Sequence, residues 1–219
     1  MRFAPGRFRD RAEAGRLLAQ RVAALQPEKP IVYALPRGGV PVGAEIAALL
    51  DAPLDLVLVR KIGAPGQPEL GIGAVVDGGE TVLNPEIVAA TGASESYLAE
   101  RRRQEMAEIE RRRRTYLPGR ASRDPAGHTA VVVDDGLATG ATARAALLAL
   151  RLRGASRLIL AVPVASAPAL AALRQEADAV VAVIEAELLH GIGGHYLDFH
   201  QLEDEEVIGL LAKHDRRDR

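Results

Sequence analysis

What the chain lacks narrows the field first. There is no cysteine among its 219 residues, which excludes disulfides and thiol chemistry. Lysine is scarce: Lys29, Lys61 and Lys213 stand alone, and the remaining basic charge is arginine. No apolar run approaches the ~20 residues of a membrane-spanning helix. The opening stretch MRFAPGRFRDRAEAG has no apolar centre of the signal-peptide kind, so a cytoplasmic protein that does not engage membranes is expected. A net charge of -1 supplies no global attraction to nucleic acid. Zinc-protease HExxH spacing is absent, no repeat or low-complexity tract occurs, and 48% hydrophobic with 26% charged residues is an ordinary globular composition.

What is present concentrates at residues 129–142, TAVVVDDGLATGAT. Ala130, Val131, Val132 and Val133 form a buried-strand run that ends on Asp134 and Asp135. A turn of small residues follows, Gly136 to Thr142, and then an alanine- and leucine-rich helix stopped by Gly154. The acidic pair and the turn thus sit at the carboxyl end of a strand, where open α/β sheets bind ligands. Outward N–H groups at a helix start favour an anion, and Thr139 and Thr142 add hydroxyl donors. The aspartates repel phosphate and suit vicinal hydroxyls or a magnesium-bound diol. Together they ask for a phosphorylated sugar. No lysine follows Gly140, so this is not a Walker A loop, and the GxGxxG spacing is missing.

VVVDDGLATGAT closely resembles the phosphoribosyl diphosphate (PRPP) binding signature of type I phosphoribosyltransferases: hydrophobics, two acidic residues, then a small-residue turn ending T-G-x-T. The resemblance implies an α/β fold, a Rossmann-like parallel sheet flanked by helices, with Mg²⁺ bound together with PRPP and a nitrogenous base as second substrate. It assigns the ribose hydroxyls and the metal to Asp134 and Asp135. It assigns the 5′-phosphate to Gly136 and to Ala138, Thr139, Gly140, Ala141 and Thr142. Hypoxanthine-type enzymes carry an acidic residue at the position of Ala138; the LATG turn here is similar to that of adenine-type enzymes, which does not make adenine the substrate.

An earlier turn has the same design. Ile31 to Leu35 reads as a strand running into Pro36, Arg37, Gly38 and Gly39 and then a helix. This turn resembles the family's pyrophosphate loop, in which a non-proline cis peptide often occurs; here it would fall near Pro36–Arg37. Leu54 to Val59 reads as the next strand, with Arg60 and Lys61 at its end facing the same cleft. The resemblance implies that Arg37 and Lys61 are catalytic, stabilising the departing diphosphate, with Arg60 beside them.

The rest of the chain divides as follows. Asp10 and Glu13 make a capping box for a helix to about Gln26. Residues 63–68 are expected to be a mobile lid, and Ile72 to Leu83 a hairpin turning at Asp77-Gly78-Gly79. Asn84-Pro85-Glu86 caps a short helix ending at Gly92. Ser94 to Tyr116 is a polar helix with seven arginines and interspersed glutamates, expected to stand off the core as a dispensable insertion covering the lid or packing on a partner subunit in a homodimer. Strands at Leu158–Val162 and Ala179–Ile184 flank a helix capped by Ser166. The tail carries His190, His195, Tyr196, Phe199 and His200 before a closing helix at Glu203–Leu211, and could supply the family's base-holding hood. The expected organisation is one domain over 1–219, with a lid and insertion at about 62–117 and a hood at about 185–219. Beside the PRPP-dependent transferase stands a non-catalytic PRPP- or nucleotide-sensing regulator on the same fold. Its one support is the arginine-rich helix, whose alternating charges speak for a solvated face over nucleic acid.

Overall fold

A computed structural model describes residues 7–187, 189 and 191–215; His190 lies outside them. In chain order the elements are α1 (Arg11–Ala23), β1 (Pro30–Ala34), α2 (Gly39–Leu50), β2 (Leu54–Leu56), β3 (Val59–Ala64), β4 (Gln67–Val76), β5 (Thr81–Leu83), α3 (Pro85–Thr91), α4 (Glu95–Tyr116), β6 (Thr129–Val133), α5 (Ala141–Leu152), β7 (Arg157–Ser166), α6 (Ala167–Leu173), β8 (Ala179–Ala186) and α7 (Asp204–Asp215), with a single 3-10 turn at Ile192–His195.

Five strands form a parallel sheet in the order β2-β1-β6-β7-β8. Successive side chains on a strand point to opposite faces, so β1 and β6 feed two cores. Val32, Ala34, Val131 and Val133 pack with α1, α2, α7 and part of α4. Ile31, Tyr33, Ala130 and Val132 pack with α5 and α6. Neighbours β1 and β6 lead away from each other, β1 to β2 on one side and β6 to β7 on the other. Their carboxyl ends therefore form the crevice in which this class of sheet takes ligands.

Capping chemistry sets several boundaries where the sequence placed them. The Asp10 carboxylate accepts the Glu13 N–H at 2.7 Å, while Glu13 reaches back to the N–H of Arg9. Asn84 caps α3, Ser94 caps α4 and Ser166 caps α6. The turn at Asp77 to Gly79 joins β4 to β5 as expected.

Three expectations need correction. The apolar run Leu54–Val59 is not one strand: β2 ends at Leu56, and Val59 begins a second, antiparallel sheet β3-β4-β5. The segment 63–68 is the tip of a hairpin and not an irregular loop, with β3 and β4 paired from Val59↔Val76 to Ala64↔Gln67. Nor does α4 stand off the core. Ile109 and Tyr116 are buried in the same cluster as α2 and α7. Arg113 reaches Asp55, which has no exposed surface, with Nη2 2.9 Å from Oδ1, and it also pairs with Asp77. Breaking a buried pair by removing one partner costs ~3–5 kcal/mol, so excising residues 94–116 would remove the side-chain partner of Asp55 and should destabilise the domain.

Candidate active site

The two glycine turns meet at the crevice. Leu35 donates its N–H to the Val133 carbonyl at 2.8 Å, holding the ends of β1 and β6 in register. Beyond it the chains approach so closely that side chains do not fit. A Cβ on Gly38 would lie 2.0 Å from Oδ2 of Asp135, and one on Gly39 2.5 Å from the Val133 carbonyl. The Pro36–Arg37 peptide is cis, at the position the sequence indicated.

The adjacent carboxylates have unlike surroundings. Asp135 is buried, with its Oδ2 2.8 Å from Nε of the buried Arg11. The Arg11 guanidinium lies 3.8 Å over the Phe199 ring and donates to the His200 carbonyl. Tyr196 stacks on Phe199 and donates its hydroxyl to the Asp135 carbonyl at 2.6 Å. Asp134 is partly exposed and accepts the Asp135 N–H at 2.8 Å. Desolvation, together with the neighbouring negative charge of Asp135, pushes the Asp134 carboxyl well above the usual carboxylate range.

After the acidic pair the turn is stapled to β7. Leu137 exchanges backbone hydrogen bonds with Val164 and Ser166, and the Ser166 hydroxyl donates to the Ala138 carbonyl at 2.8 Å. Gly140 takes the left-handed conformation at φ 78°, and α5 starts after it without a side-chain cap. Ala138, Thr139, Ala141 and Thr142 are exposed, and the Thr139 and Thr142 hydroxyls have no hydrogen-bond partner among the described residues. Such an uncapped helix start with free donors suits an anion.

The basic residues separate. Because β3 alternates, Arg60 turns to Glu105 of α4 at 2.9 Å, whereas Lys61 turns to the other face. There it meets Glu69 at 3.2 Å and lines a cavity of about 280 Å³ with Ala141, Thr142 and Arg144. Arg60 therefore does not share a face with Lys61, as a common strand end would have required. Arg37 lies on a third side, with Nη1 3.8 Å from Asp204.

Arg11 was missed as a site residue. Its partner is 124 positions away, and a lone arginine at a helix start carries no local signal. The tail was noticed for its aromatics, and they are in place, but Tyr196 and Phe199 brace Asp135 and Arg11. Phe8 joins them by pairing with His195 and Leu197, so the two ends of the described chain meet at the acidic turn.

No group of three or more His, Cys, Asp or Glu that could hold a metal occurs among the described residues. Mg²⁺ commonly takes one or two carboxylates plus substrate oxygens and water. Asp134, partly exposed beside the uncapped start of α5, fits that mode; Asp135 is committed to Arg11.

A Rossmann-like parallel sheet, a strand-to-turn acidic pair and an open helix start thus come together at one edge of the molecule. Residues 10–188 match the family described as phosphoribosyl transferase domain, and the chain belongs to that family. It is 42% identical over 206 residues to a Mycobacterium tuberculosis protein provisionally described as a phosphoribosyl transferase, recorded in strains CDC 1551 / Oshkosh and H37Rv. The match takes in 94% of this chain and 46% of that protein, so the chain spans about half the length of these curated relatives. The crystal structure of TT1426 from Thermus thermophilus superposes with a TM-score of 0.85 at 43% identity, covering 94% of this chain and 98% of that one. Among the described residues no helix is long and apolar enough to cross a membrane.

Proposed function

We propose that the chain is a PRPP-dependent phosphoribosyltransferase that moves the phosphoribosyl group onto a nitrogenous base. The observation that supports this is the contact of the two turns: Gly38 and Gly39 pack directly on Asp135 and Val133, which brings both glycine turns side by side at the carboxyl ends of β1 and β6. The 5′-phosphate occupies the α5 start from Ala138 to Thr142. The ribose hydroxyls lie on Asp134, and the diphosphate lies along Pro36 to Gly39. The bond from the anomeric carbon to the diphosphate oxygen breaks and one to a base nitrogen forms, with the nitrogen's proton leaving to solvent or to a neighbouring base. An electron-poor anomeric carbon develops in such a displacement, so catalysis rests on positioning and on stabilising the departing diphosphate. Arg37, within the diphosphate loop, supplies positive charge for this, while Lys61 lies beside Thr142 at the 5′-phosphate end. Mg²⁺, held by the donor's oxygens and Asp134, would neutralise charge on the leaving group.

The regulator reading loses its support. The α4 arginines pair with Glu100, Glu105, Glu108, Glu110, Asp55 and Asp77 or with backbone carbonyls, so apart from Arg111 and Arg112, which share Glu108, the helix offers no continuous basic face to nucleic acid.

Calorimetry with PRPP and Mg²⁺ on wild type and Asp134→Asn tests the reading. Binding should weaken about tenfold or more, the loss typical of a charge-assisted hydrogen bond; equal affinities would sink it. A pyrophosphate-release screen over a panel of bases then finds the acceptor.

A further inference from the structure

Arg37 does not point into an empty margin. Together with Arg111, Arg112, Thr115 and Tyr116 of α4 and Asp204 of α7 it lines a cavity of about 200 Å³ whose walls are almost wholly polar. Three guanidiniums converge there on two carboxylates. Glu108 alone serves both Arg111, at 2.8 Å, and Arg112, at 2.8 Å. Asp204 stands 3.8 Å from Arg37, beyond hydrogen-bonding reach, and it already accepts the Tyr116 hydroxyl at 2.7 Å. The cavity therefore keeps an excess positive charge and unused guanidinium donors. The same accounting fails elsewhere on α4: Arg113 is consumed by Asp55 and Asp77, Arg101 by Glu105 and Gln104.

We infer that this cavity is a binding site for a compact polyanion, with Arg111 and Arg112 of α4 acting beside Arg37. The inference rests on the reading of Pro36–Gly39 as the diphosphate loop and extends that end of the site onto a helix which the sequence presents only as a solvated insertion. Planar guanidinium forks match phosphate and carboxylate oxygens in pairs. The volume suits a diphosphate or a small acidic ring and excludes a polymer. Two sources share this chemistry: the diphosphate of the donor, and an acceptor that carries its own negative charge. In either case α4 is held for the purpose by the Arg113 anchor, which fixes the last turns of the helix against β2.

Inorganic pyrophosphate is the probe, titrated calorimetrically at low salt. Arg111→Ala/Arg112→Ala should weaken it about tenfold or more, and Arg111→Lys/Arg112→Lys should recover part of the loss. The control Arg103→Ala/Arg114→Ala removes the same charge from exposed positions outside the cavity and should change affinity by less than twofold. Equal losses in the two double variants would overturn the inference by reducing it to general electrostatics. So would unchanged affinity in Arg111→Ala/Arg112→Ala, or a wild type that does not bind pyrophosphate. PRPP run in parallel separates the sources: a loss shared by PRPP assigns the cavity to the donor's diphosphate, and a loss confined to free pyrophosphate assigns it to a second anion. Ribose 5-phosphate should bind wild type and the cavity variant alike. Failure of wild type to bind ribose 5-phosphate counts against the donor reading and leaves the pyrophosphate comparison to decide the cavity.

Discussion

The two turns that build the crevice are both rich in glycine, yet their glycines answer different demands. In Pro36–Gly39 the constraint is space: Gly38 and Gly39 lie against the facing turn with no room for a methyl group. In Gly136–Thr142 space also counts at Gly136, where a Cβ would lie 2.4 Å from the Ile192 side chain, but Gly140 adds conformation, with a φ of 78° that few side chains tolerate. The cation of the first turn, Arg37, belongs to a network of charged side chains, while the hydroxyls of the second are left open. The backbone of the first turn is fitted against the protein, while the donors of the second are open. Between them the acidic pair repeats the division, since Asp135 is fixed by Arg11 and Asp134 is not.

The largest effect should come from breaking the fitted half. Arg11→Met leaves Asp135 a buried, unpaired charge and should cost ~3–5 kcal/mol, read as a fall in the urea midpoint. Arg11→Met/Asp135→Asn should regain most of that, and a double variant no more stable than the single would show that Asp135 does not depend on its partner. Next come the glycines. Gly38→Ala drives a methyl group into the Asp135 carboxylate, itself held by Arg11, and should cost ~3 kcal/mol. Gly140→Ala meets the strain of a left-handed alanine and the mobile end of Leu173, for ~1–2 kcal/mol. Equal losses would erase the contrast between space and conformation.

Asp134→Asn sharpens the comparison in the opposite direction. Asp134 has a raised folded-state proton affinity. Between its unfolded value near 3.8 and its folded value the native state holds more protons than the unfolded chain, so stability falls as pH rises through that window. Removing the charge should raise the melting temperature at neutral pH and flatten its pH dependence above 3.8, while weakening PRPP. A variant that melts lower at neutral pH would show the carboxylate to be structurally favourable. The smallest effect belongs to Arg37→Ala. It should leave the melting temperature within ~0.5 kcal/mol of wild-type stability, because its nearest carboxylate is too far to hydrogen-bond. A larger loss would mean that Arg37 is fitted to the protein as Arg11 is.

Features written in local chemistry were legible from the chain. The β6 run, the acidic pair and the caps at Asp10, Asn84 and Ser166 all depend on neighbours a few residues away, and the Pro36–Arg37 position followed from the family resemblance. What was hidden depends on distant ones. The break between Leu56 and Val59 is invisible in a continuous apolar run, because both pieces are buried, in different sheets. The seating of α4 rests on Ile109, Tyr116 and one arginine of seven, too few to mark a face against so polar a background. The pairing of Arg11 with Asp135 joins distant parts of the described chain. Most of the sheet could thus be read in advance. The sharing of work among Arg37, Arg60 and Lys61 could not, since a shift in where a strand begins decides which way each side chain points.

The clamp around Asp77 has a mechanical consequence. Arg113 binds its carboxylate, Arg153 donates to its carbonyl, Arg102 donates to Gly79, and the Asp77 N–H bonds to Leu58 at 2.8 Å. All four fasten the base of the β3–β4 hairpin. Further along, the Tyr97 hydroxyl holds the Gly63 carbonyl at 2.8 Å. Past that point residues 65–70 are all exposed. The hairpin is a cantilever, welded at one end and braced partway. Its compliance is confined to the last few residues, so amide hydrogen exchange should be graded along it, fastest at 65–70 and slowest at Val59 and Val76. Flexing of that kind would sweep the tip while Lys61, inside the braced span, keeps its place beside Thr142.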